Sequence, residues 1–222
     1  MTMTIPTPTL RGVARAGVLL AAGVLLGGCA LLGGKSRQQG TIYAPEPRVA
    51  ADARWPTVRW QLSMSPPSAA RMIDSLRIAV RPTPNEIQVY KDANWAQRPS
   101  DMLEATLLRT LEDSGKIPAV ARQGSGISAD YKLVLDLRRF EADYAPGAAT
   151  PAATIEVNAK LLHAQDQQVV AAHTFVQAQP SASTAVPDVV TAFERSLGAI
   201  SQDLAGWVLT SGDGHERGGV HR

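Results

Sequence analysis

The sequence predicts a single α+β domain, a mainly antiparallel or mixed sheet with two amphipathic helices packed on it. Three observations carry that prediction. Apolar residues alternate along Tyr131, Leu133, Leu135 and Leu137, along Ile155, Val157, Ala159 and Leu161, and along Val170, Ala172, Thr174 and Val176, the period-two mark of strands. Ala164-Gln165-Asp166-Gln167 separates the last two runs and reads as a hairpin loop, which requires antiparallel pairing. Two further stretches repeat apolar residues at steps of three or four, the period of a helix lying on a sheet.

The N-terminus is of another kind. Arg11 and Arg15 precede an 11-residue apolar stretch, Ala16 to Leu26, and Leu26-Gly27-Gly28-Cys29 follows. A basic region, an apolar region and then small residues is the order of a signal peptide, and Leu26-Gly27-Gly28-Cys29 resembles a bacterial lipobox. The resemblance implies cleavage after residue 28, with Cys29 as the new N-terminus and its sulfur as the lipid attachment point. Ala30 rather than Asp follows, which by resemblance to sorted lipoproteins implies the outer membrane. The alternative is a retained anchor helix: Ala16 to Gly34 is an uncharged run of 19 residues, just long enough to span a bilayer, although six of them are Gly. A phosphate-binding loop ending in Gly33-Gly34-Lys35-Ser36 is excluded by spacing, since its first Gly would occupy the position of Cys29.

Cleavage would remove Arg11 and Arg15 and leave 20 basic against 20 acidic residues. A formally neutral chain argues against nucleic acid as a partner. Cys29 is the single cysteine, so no internal disulfide can form. Residues 29–56 carry Gly33, Gly34, Gly40, Pro45, Pro47 and Pro56 without lasting periodicity and read as a lipidated, flexible tether, reaching at most roughly 90 Å. The domain proper is expected over residues 57–209, and the polar, Gly-rich residues 210–222 as a disordered tail.

Within the domain, Val58, Trp60 and Leu62 share one face of a strand, as do Leu76, Ile78 and Val80, and a shorter run follows at Ile87 and Val89. The first helix is predicted from Asp101 and Glu104 at capping-box spacing, with Leu103, Leu107 and Leu111 as its stripe and Gly115 as its left-handed stop. Residues 117–121 form a short candidate edge strand beside Pro118. The segment Asp143 to Ala153 reads as an exposed loop between two strands. The second helix begins near Pro187 and runs towards Leu209, with Val190, Phe193, Leu197, Ile200, Leu204 and Trp207 on its stripe.

No residue set demands catalysis, a metal or a cofactor. Of the four histidines, His215 and His221 fall in the tail, while His163 and His173 are expected as solvent-facing strand residues, His173 opposite about Asn158. Gly124-Ser125-Gly126 lacks nucleophile-elbow spacing. Asp101, Glu104 and Glu112 are accounted for by capping and a solvated helix face. Trp60 and Trp207 fall on apolar stripes and are expected in the core. Trp95, between stretches of regular structure and beside Arg98, is open to two readings, packing against the helix start or contact with a partner; Tyr90 and Arg98 join it as candidate partner-binding residues.

The order of these segments resembles the ABC-type transport auxiliary lipoprotein family, the lipoprotein component of paraquat-inducible, MCE-type lipid transport systems. The resemblance spans residues 57–209. It rests on Trp60-Gln61-Leu62, on SLRIAVRPTPNEIQVYKDANWAQRPSDMLEATLLRTLEDSG with its Trp95-Ala96 pair, on ADYKLVLDLRRFEADY, and on AFERSLGAISQDLAGWVL. Residues 81–87, Arg-Pro-Thr-Pro-Asn-Glu-Ile, depart from the family's Leu-Pro and Tyr-Leu-Asp-Arg type segment, which places the local partner contacts in question. The family implies a lipid-anchored auxiliary at the outer membrane, facing the periplasm. Its implied partners are an MCE-type substrate-binding protein and its ABC transporter complex, moving phospholipid or another hydrophobic molecule. A homo-oligomer is compatible with the sequence, which does not count subunits. Two alternatives stand beside the adaptor: a lipoprotein that itself binds or senses a hydrophobic ligand, and a periplasmic hydrolase.

Overall fold

Strand β7, Tyr131–Asp143, is the axis on which residues 40–219, those described by this computed structural model, are arranged. One edge of β7 is covered along its length by β8 (Ala152–His163), antiparallel, and β8 is covered in turn by β9 (Val169–Pro180). The other edge is shared by three short strands in chain order, all parallel to it. They are β2 (Leu62–Met64) beside Tyr131 to Leu133, β3 (Ser68–Ala69) beside Asp136 and Leu137, and β4 (Arg77–Thr83) beside Ala142 and Asp143. Through Pro84 and Asn85 the chain returns antiparallel as β5 (Glu86–Trp95); β1 (Thr41–Tyr43) lies parallel outside β5, and β6 (Val120–Arg122) parallel outside β2. The result is a mixed, open sheet of nine strands with two helices, α1 (Pro99–Asp113) and α2 (Val186–Arg217), an α+β domain as expected.

A bulge sets which face of β7 is buried. Tyr131, Leu133, Leu135 and Leu137 point to the core, and simple alternation would then bury Arg139 and Glu141 there. Instead the pairing shifts between Leu137 and Arg139, with Leu137 opposite Val157 and Arg139 opposite Glu156, so Arg138 is the extra residue. One unpaired residue reverses the parity, and Phe140 and Ala142 return to the core face. Phe140 stacks on Phe193 of α2 with ring centroids 4.9 Å apart, and Trp95 meets both rings edge-on at 5.9 and 5.2 Å. Leu103, Leu107 and Leu111 of α1, and Phe193, Leu197, Ile200 and Leu204 of α2, are fully buried in the same core.

Several expectations are corrected. Residues 40–56 are no free tether: β1 pairs with β5, Trp55 is buried, and Pro47 and Val49 lie against Gly198 of α2. A Trp stranded in a Gly- and Pro-rich segment was the signal for this. Residues 210–217 are not a disordered tail either, because α2 runs on to Arg217. Its Gly212 lets the indole of Trp60 lie directly on the helix backbone. Helix α1 starts at Pro99, ahead of the predicted capping box; Asp101 is an exposed first-turn residue, and the Asp74 carboxylate accepts the Ser100 N–H from outside the helix. Glu104 is buried, paired with Arg122 of β6 at 2.9 Å.

Other expectations shift by a residue or a face. Leu76 is exposed while Ile78 and Val80 are buried. Ala172, Thr174 and Val176 point away from the helices, because Phe175 and Gln177 occupy the helix side opposite Val157 and Ile155. His173 pairs with Ala159, one residue from the expected position. The predicted loop is confined to residues 144–151, and β6, at the edge, starts three residues later than expected. The leader, Cys29 and His221 lie outside the described residues. No helix among the described residues is long and apolar enough to cross a membrane.

The two late glycines of α2 make a paired test. A Cβ on Gly212 would stand 2.3 Å from Cζ2 of buried Trp60, whereas one on Gly214 meets nothing within 4 Å. Ala in a helix is favoured over Gly by about 1 kcal/mol, while overpacking costs about 1–3 kcal/mol. Gly214→Ala should therefore raise Tm and Gly212→Ala should lower it; two equal shifts by thermal melting would contradict the packing described.

Candidate functional site

The residues proposed from sequence do not form one site. Trp95 is 2% exposed and belongs to the core, so it offers no surface to a partner; its burial among Phe140 and Phe193 excludes the contact reading. Tyr90, on β5, is half-buried. Its hydroxyl is shielded with no hydrogen-bond partner of ordinary geometry among the described residues, and burial, with Tyr144 beside it, pushes its pKa up. Tyr144, placed in the loop by sequence, also leans on the core. Arg98 is exposed at the start of α1 and makes no ion pair among the described residues. Cys29 lies outside the described residues.

A second group was missed because its members are far apart in sequence. The hydroxyl of Tyr131, at the start of β7, lies 2.8 Å from both Glu216 Oε1 and His215 Nδ1 at the end of α2. A hydroxyl has one proton, so donating it to Glu216 requires His215 Nδ1 to donate in turn. His163, at the end of β8, is buried rather than solvent-facing; its ring stands 5.5 Å from that of His215, and its Nδ1 lies 3.1 Å from Asp166 Oδ1. Burial and then the Glu216 hydrogen bond push the Tyr131 hydroxyl to higher pKa, so it stays neutral. Held this way, it clamps α2 to the sheet. Among the described residues, no group of three or more His, Cys, Asp or Glu side chains is placed to hold a metal ion.

A third group lies on the sheet face away from the helices. Glu141 is fully buried and receives Arg81 Nε at 2.7 Å, Arg81 Nη2 at 3.0 Å and Arg139 Nε at 2.8 Å. Arg139 also binds Asp143 at 2.6 Å, and Arg81 donates to the Pro84 carbonyl at 2.9 Å. Burial alone would raise the Glu141 pKa; the two guanidiniums outweigh it and hold the carboxylate below its ordinary range. The network fastens the β4–β5 ribbon to β7. The bulge at Arg138 is what gives Arg139 and Glu141 this side of the sheet.

Two titrations follow. Tyr131 has a raised folded pKa, so its contribution is complete below the unfolded value of 10.0 and is lost as pH rises above it. Tyr131→Phe should cost about 1 kcal/mol at neutral pH and flatten the alkaline loss of stability, read by urea unfolding at neutral and alkaline pH. Glu141 has a lowered folded pKa, so its contribution is present above the ordinary value of 4.5 and is lost as pH falls through the folded one. Glu141→Gln should cost about 3 kcal/mol at neutral pH and little in acid, where the two proteins should converge.

Comparison with known proteins fits this architecture. A crystal structure from Xanthomonas campestris is 56% identical, superposes with a TM-score of 0.77, and is covered over 99% of its chain by 80% of this one. An uncharacterized crystal structure at 14% identity and TM-score 0.53, covered over 97% by 71% of this chain, shares the fold alone. An uncharacterized Bradyrhizobium diazoefficiens protein is 24% identical over 177 residues, 75% of this chain, and the chain spans 46% of that relative's length. The family model for the ABC-type transport auxiliary lipoprotein component matches residues 41–205, beginning at the first strand and ending on the long helix, and the chain belongs to that family.

Proposed function

We propose that this chain is a non-enzymatic, lipid-anchored adaptor that docks a transport complex at the outer membrane. In this reading the leader is cleaved after residue 28, acyl chains on Cys29 enter the bilayer, and the domain faces the periplasm. Each buried methylene contributes about 0.8 kcal/mol, so several chains hold the protein firmly. The partner is an ABC transporter complex with an MCE-type substrate-binding protein, and the cargo is phospholipid or another hydrophobic molecule.

The observation that carries the proposal is the family match over residues 41–205. The filled helix–sheet interface supports an adaptor over a carrier. Trp95, Phe140 and Phe193 occupy the space where a ligand between sheet and helices would sit. What the domain presents is surface: exposed Arg98 and the rim of Tyr90 are the candidate contacts.

Cys29→Ala should leave a folded domain and shift it from the membrane to the soluble periplasmic fraction. Retention of a processed, unacylated protein on the membrane would overturn the anchor. Native mass spectrometry of the domain purified from its own cells should find a stable protein partner; copurified lipid without one would favour a carrier.

A further inference from the structure

We draw no further inference here: the strongest candidate, the outer edge of β9, where Val169 and Val176 stand exposed along a strand without a charged side chain, carries nothing, because nothing in the structure shows what covers it.

Discussion

Three rings hold this fold in one piece. Phe140 comes from the long central strand, Trp95 from the end of the β4–β5 ribbon, and Phe193 from α2, and each touches the other two. Aromatic contacts of this kind add about 0.5–1.5 kcal/mol each beyond the area they bury. Their larger consequence is connectivity. Without them the β1–β5–β4 ribbon would lose its aromatic contact with α2 and keep the short parallel pairing at Ala142 and Asp143, the Arg81–Glu141 ion pair and the core contacts of Ile78 and Val80. The bulge at Arg138 is the backbone condition for this contact, since an unbroken alternation would turn Phe140 outward.

The same bulge builds the charged network on the opposite face. Turning Phe140 inward turns Glu141 outward, beneath the ribbon, where Arg81 and Arg139 meet it. A buried carboxylate with two guanidiniums is a poor source of net stability but a strict one of geometry, because loss of one partner strands a charge. Ribbon and central strand are thereby held from both sides, by rings within the core and by ions outside it. The ribbon also holds β1, the first strand of the described chain, so its attachment to β7 fixes that strand to the domain as well.

The edges of the sheet differ in character. The β9 edge carries exposed Val169 and Val176 without a charged side chain along the strand. The β1 edge begins one residue after the start of the described chain, and its Ile42 shares a cross-strand row with Asn94 and exposed Arg77.

Much of this was legible one residue at a time. The period-two runs in β7 and β8, the stripes of both helices, Gly115 at its left-handed φ of +62° and Pro187 at the start of α2 follow from local composition and spacing. What those signals cannot carry is pairing between distant segments. Residues 40–56 look like linker until Trp55 finds Gly206, residues 210–217 look like tail until Tyr131 finds His215 and Glu216, and Trp95 looks available until Phe140 and Phe193 enclose it. Glycine and polar residues predict loops because alone they lose more in conformational freedom than they gain in contacts. Only the assembled sheet supplies the indole, hydroxyl and ring surfaces that reverse that balance.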